Sequence, residues 1–230
     1  MSQSCSACEV RDESLCGGLE AAELSALARL GRERVLERGE TLIWAGDDAP
    51  ICANLRSGVL KLSATMADGR EQILGLLYPG DFVGRPFADQ AGHSVTALTG
   101  ATLCAFPRRG FEALLEGGGR LERKLLERTL TALDEARSRM LMLGRMTAGE
   151  RVAGFLLEIS RHVEAGPDGS FALPMTRAEM ADVLGLTIET VSRQMTVLRR
   201  QGVIDLPSAR LVAIRDRRAL AALAETDRAA

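Results

Sequence analysis

The sequence predicts an α+β chain built from a small antiparallel β-roll, one long helix and a winged helix-turn-helix. Three features predict it. Between Arg34 and about Arg109, short strand-like runs alternate with Gly-Asp, Ser-Gly, Asp-Gly and Pro-Gly pairs, and strands at such even spacing close into barrels or rolls. From Arg120 to Arg145 an apolar stripe runs without a helix breaker. From Thr176 onward two capped helices flank a single glycine, the layout that sets one helix in a DNA groove.

A chain of 230 residues suits two domains better than one. With 46% apolar and 26% charged residues it has ordinary globular usage. The net charge of −2 excludes no partner, because phosphate is bound by a local basic patch rather than by a sum over the molecule. No apolar run approaches the roughly 20 residues of a membrane helix. The opening Met1 to Asp12 is polar and cysteine-bearing, so a cytoplasmic location is expected. In a reducing compartment the five cysteines, Cys5, Cys8, Cys16, Cys52 and Cys104, point to metal or redox chemistry rather than disulfides. His93 and His162 have no zinc motif or nucleophile elbow beside them, so an enzyme is not expected.

Taken in order, Leu19 to Leu30 places apolar residues at helical spacing. Strands are expected at Thr41–Ala45, Ile51–Leu55, Val59–Ala64, Gln72–Tyr78, Ser94–Leu98 and Ala101–Phe106. Gly117-Gly118-Gly119 breaks the chain before the long helix, where Leu126, Thr129, Leu133, Ala136, Met140 and Leu143 repeat at intervals of three and four. That is the seam of two helices side by side, read here as a homodimer interface; the other reading packs the stripe on its own roll. A helix from Ala148 to Val163, a turn at 165–169 and a strand Ser170–Leu173 follow. The expected segments are a cysteine-rich 1–18, a β-roll over 19–118, a dimerisation helix over 119–146 and a winged helix-turn-helix over 147–230.

Thr176-Arg177-Ala178-Glu179 is a capping box, so a helix begins at Arg177. It stops at Gly185, and Thr187 caps a second helix running from Ile188 to Arg200. With Val191, Met195 and Leu198 facing inward, Ile188, Glu189, Ser192, Arg193 and Thr196 are left to meet DNA. Arg suits guanine and Glu suits the cytosine amino group, while Arg199 and Arg200 fall near phosphates. The plainer reading pairs Glu189 with Arg193 on a solvated face. Gly202-Val203-Ile204 and Leu211–Ile214 read as the two strands of a wing.

The stretch Leu184-Gly185-Leu186-Thr187-Ile188-Glu189-Thr190-Val191-Ser192-Arg193 resembles the recognition motif of the Crp–Fnr superfamily of bacterial regulators, and the resemblance covers nearly the whole chain. In the FNR-type branch, the oxygen sensors named for fumarate and nitrate reduction, the core Glu189, Ser192 and Arg193 implies a palindrome of TTGAT half-sites with the Arg on guanine. It further implies a cyclic-nucleotide-binding-like β-roll, a homodimer on double-stranded DNA, and RNA polymerase as a partner. No cyclic nucleotide is expected, because Arg85 stands where that branch of the superfamily has a ribose-binding carboxylate, and Ser94 stands near its phosphate-binding Arg.

Cys5-x2-Cys8-x7-Cys16 puts three thiols in one segment, and Cys104 comes from a late strand. Together they make the four ligands of a [4Fe–4S] cluster, as the FNR-type resemblance also implies. Zinc takes four thiolates equally well, and a haem or small-molecule sensor with zinc-bound or uncommitted cysteines is the alternative. Cys52 reads as a small core residue. By resemblance, Leu15 and Glu9, beside the ligands, are expected to govern how fast oxygen attacks.

Overall fold

The computed structural model describes residue 5 and residues 8–117, 119–166 and 168–225. They form two compact units, 1–136 and 137–230. In the first, helix α1 (Ala21–Leu30) opens at a reciprocal cap between Glu20 and Glu23. The strands β1 (Arg32–Leu36), β2 (Thr41–Ile43), β3 (Ile51–Ser57), β4 (Leu60–Thr65), β5 (Glu71–Leu77), β6 (Phe82–Val83), β7 (Ser94–Ala97) and β8 (Ala101–Pro107) follow. They pair antiparallel in two four-stranded sheets, ordered β1-β8-β3-β6 and β2-β7-β4-β5.

Side chains alternate across a strand with period two, and that alternation gives the first sheet two different faces. Ala53, Leu55, Leu103 and Ala105 point into a core shared with Leu42, Ile43, Leu60 and Val95 of the second sheet. The intervening Cys52, Phe106 and Cys104 belong to another apolar cluster, with Leu15, Leu27, Phe111, Leu115 and Leu121. Helix α2 (Arg108–Glu116) supplies Phe111, whose ring stacks on Phe82 and Phe106 at 5.3 and 5.8 Å. Each such Leu or Phe contributes about 1.5–3 kcal/mol by leaving water.

Helix α3 (Arg120–Arg145) belongs to both units. Its two ends pack differently. Leu121 and Leu125 near its start join the cluster on the roll, whereas Leu143 near its end lies against Gly185.

The second unit holds α4 (Ala148–His162), β9 (Ser170–Ala172), α5 (Arg177–Leu184), α6 (Ile188–Arg200), β10 (Ile204–Asp205), β11 (Leu211–Ile214) and α7 (Arg217–Glu225). Its three-stranded sheet runs β10-β11-β9, so the expected 170–173 strand extends the wing. Thr147 caps α4 with Glu150, and Thr176 caps α5 with Glu179. At the turn, Gly185 adopts φ +60°, a left-handed conformation in which a Cβ would be strained.

Four elements escape the sequence reading. Strand β1 exposes four of its five residues and shows no alternation, and β6 has two residues. Helix α2 starts directly after Pro107 and contains Gly110, while α7 has a mostly Ala and Arg sequence. Among the described residues no helix is long and apolar enough to cross a membrane.

Candidate metal centre and nucleic-acid interface

Residues 8–19 form a succession of tight turns, closed by hydrogen bonds from Arg11 N to Cys8 O, Ser14 N to Arg11 O, Gly17 N to Ser14 O and Leu19 N to Cys16 O. The winding is tight enough that a Cβ on Gly17 would collide with Asp12 O. Leu15 is fully buried in the cluster beneath this loop and anchors it, which carries the neighbouring Cys16 to the sheet. Ser14 Oγ accepts from Cys16 N at 3.2 Å and donates to Arg11 O at 2.9 Å.

Cys104 reaches the same place from β8, where it pairs across the ladder with Asn54 of β3 and with Glu33 of β1. One cavity is lined by Cys5, Cys8, Cys16 and Cys104, together with Arg11, Ser14, Asn54 and Arg56. All four thiols singled out in the sequence are therefore brought together. Among the described residues no three His, Cys, Asp or Glu side chains form a group that could hold a single metal ion; the thiols ring a space instead. Cys52 is fully buried in the apolar cluster and stands apart from the cavity. Glu9 is exposed, and neither it nor Leu15 lines the cavity.

Burial pushes the Cys104 thiol up to about 12, with Cys16 and Cys5 adding to the shift and Arg56 opposing it. The Cys16 thiol is also raised, first by burial and then by Cys8 and Cys5, against hydrogen bonds from Ser14 and Asn54. Cys16 and Cys104 therefore resist becoming thiolates unless a cation joins them. The donor set fits an iron–sulfur cluster: four sulfurs, two guanidiniums to offset negative charge, and an amide N–H toward Cys16. Asn54, Arg11 and Arg56 were not anticipated. Only the strand register reveals that Asn54 faces Cys104.

The segment that follows Cys16 is tied to the start of α3 by several bonds. Arg120 Nη1 donates to Gly18 O at 3.2 Å, and its Nη2 pairs with Glu20 at 3.2 Å. Glu23 Oε1 accepts from Arg120 N at 2.9 Å. The Glu23 carboxyl is held below its usual range first by the Glu20 backbone N–H and then by those of Arg120 and Leu121.

Along α3, Leu126, Thr129, Leu133, Ala136, Met140 and Leu143 are all exposed. Thr129 turns its hydroxyl back to Leu125 O at 2.8 Å, which leaves its methyl group free for an apolar seam. Leu130 and Leu141 are exposed too, and the strict three-and-four count had left them out.

In α6, Val191, Met195 and Leu198 are buried. Ile188, Glu189, Ser192, Arg193, Arg199 and Arg200 are exposed, whereas Thr196 is half-buried with its hydroxyl donating to Ser192 O at 2.9 Å. The Glu189 carboxyl is held low by its own backbone N–H and by the Thr187 hydroxyl. Arg193 donates to Thr190 Oγ1 at 3.4 Å, so its nearest hydrogen-bond partner is on the preceding turn rather than Glu189. Arg151 was missed in the sequence: its guanidinium donates to Leu143 O, Met146 O and Leu184 O at 2.8–2.9 Å, tying the end of α3 to the end of α5.

Two family models match, a cyclic nucleotide-binding domain over residues 33–117 and a Crp-like helix-turn-helix domain over residues 150–223. The transcriptional activator protein FnrL of Cereibacter sphaeroides is 43% identical over 219 residues, covering 92% of this chain and 88% of that protein. The nitrogen fixation regulation protein FixK of Bradyrhizobium diazoefficiens is 39% identical, covering 87% and 85%. The solved structure of FixK2 from Bradyrhizobium japonicum superposes with a TM-score of 0.79 at 33% identity, over 84% of this chain and 96% of that one. Together with the roll and the helix-turn-helix, these matches establish that the chain belongs to the Crp–Fnr family of DNA-binding transcription regulators.

Proposed function

We propose that the chain is an oxygen-responsive regulator in which Cys5, Cys8, Cys16 and Cys104 hold a [4Fe–4S] cluster. In this reading a homodimer binds a palindromic operator of the TTGAT type when oxygen is low, and RNA polymerase is the partner that acts on the result. The observation that carries it is the convergence of the four thiols, from two distant segments, on one cavity. When bound there, the cluster would supply a centre that oxygen can degrade.

The chain's own residues provide the coupling. Cys16 adjoins Leu15, which shares an apolar cluster with Leu121 and Leu125 of α3, and Arg120 holds the loop at Gly18. The position of the cysteine loop therefore bears on the first turns of the helix that carries the exposed stripe. A seam of modest strength can be switched by such an input. No cyclic nucleotide enters this reading: Arg85 is exposed, and the Ser94 hydroxyl accepts from Ala45 N at 3.0 Å.

Protein purified without oxygen should be brown, contain roughly four iron and four sulfide per chain, and bleach in air. Colourless protein containing zinc would overturn the reading, as would the sharp bands of haem. On the DNA side, Arg193→Ala should cost about 1–3 kcal/mol in operator binding, roughly 5- to 150-fold, and relax the guanine position. Arg199→Ala should weaken all sequences alike. Titrations against operators altered at that base pair distinguish the two.

A further inference from the structure

We propose that Asn54 is a positioning residue for the centre, donating an amide N–H to the Cys16 sulfur and thereby setting how readily the centre is oxidised. The inference rests on the reading of the cysteines given above. Asn54 sits in the middle of β3, between Ala53 and Leu55, and is only 3% exposed. Burying an amide is costly unless its hydrogen bonds are made, so an apolar side chain would serve the strand better. Its Nδ2 lies 3.6 Å from Cys16 Sγ, a normal span for a hydrogen bond to sulfur. Its Oδ1 is buried and has no hydrogen-bond partner, so the amide is not there to complete a structural network.

Register fixes the placement: Asn54 stands opposite Cys104 on one side and Phe82 on the other, so it neighbours the strand thiol while its amide reaches the loop thiol. A thiolate has no proton and only accepts. The NH2 face of the amide is therefore the one that suits a metal-bound Cys16. Hydrogen bonds to ligand sulfur withdraw electron density and stabilise the reduced form of a cluster. Without them the centre gives up electrons to oxygen more easily.

The test uses the full chain, reconstituted anaerobically, with Asn54→Leu and Asn54→Ala; both remove the N–H, and Ala adds no bulk if Leu disturbs folding. Four quantities are read: the reduction potential, the iron–sulfur stretching frequencies, the rate of bleaching in air and the rate of iron loss to a chelator. Both variants should show a lower potential, shifted frequencies and faster bleaching, and should lose iron to a chelator roughly tenfold faster. Variants that carry iron with wild-type potential, frequencies and bleaching overturn the inference while leaving the cluster reading intact. A wild-type chain without iron overturns both.

Discussion

Replacing Cys104 by serine is expected to leave a folded roll that retains almost no iron. Cys104 is the one thiol of the four held by a sheet, on a strand flanked by β1 and β3. The other three belong to a segment whose described part is held mainly by short turns and by Leu15. Serine is nearly the same size, and its hydroxyl ligates iron poorly because it deprotonates far less readily than a thiol. The apolar cluster keeps Phe106, Phe111 and Leu15, so thermal unfolding of the metal-free protein should shift little. Iron and sulfide analysis of the anaerobic variant, alongside its melting curve, checks both halves. Full iron content in the variant would remove Cys104 from the ligand set. Operator binding should also lose its dependence on oxygen.

The second large effect is expected from Leu133→Glu. Leu133 is 44% exposed in the single chain, between Leu126 at 59% and Met140 at 70%. Residues near the axis of a two-fold interface meet their own copies, so a single substitution acts twice. Losing two buried leucines removes about 3–6 kcal/mol. Two carboxylates facing each other in an apolar seam add a further penalty. Even the lower figure weakens association roughly a hundredfold, and each separated chain would then hold one half-site. Sedimentation should show monomers, specific operator binding should be lost, and the brown colour should persist because neither Leu133 nor any other residue of the stripe lines the cysteine cavity. Tight operator binding by the variant would refute the assigned seam.

Much of the fold is legible in the sequence because its punctuation is local. Gly-Asp, Asp-Gly and Pro-Gly pairs mark the roll's turns, and the Thr176 and Thr187 caps mark the two helices of the DNA-reading unit. Where the signal is tertiary, it is silent. Strand β1 is recognisable only by its ladder to β8, and α2 only by Phe111 filling the space under the cysteine loop. The four thiols could be named because cysteines are rare and their spacing resembles a known pattern. Asn54, Arg56 and Arg151 could not, since an asparagine in a strand or an arginine in a helix gains meaning only from what it faces. The exposed apolar stripe of α3 is half legible: a strict three-and-four count selects Thr129 and Ala136, while the folded helix also leaves Leu130 and Leu141 uncovered.

The central position of β8 has a consequence for durability. Interior strands of a sheet open only with the whole domain, whereas short turn-rich segments lift away at little cost. In the proposed reading, a centre held by Cys104 on that strand and by Cys8 and Cys16 in the turns of residues 8–19 is released by opening those turns alone, while the sheet stays paired. On that proposal, repair after exposure to air asks for fresh iron and sulfide and a reseated loop, not for a newly made protein.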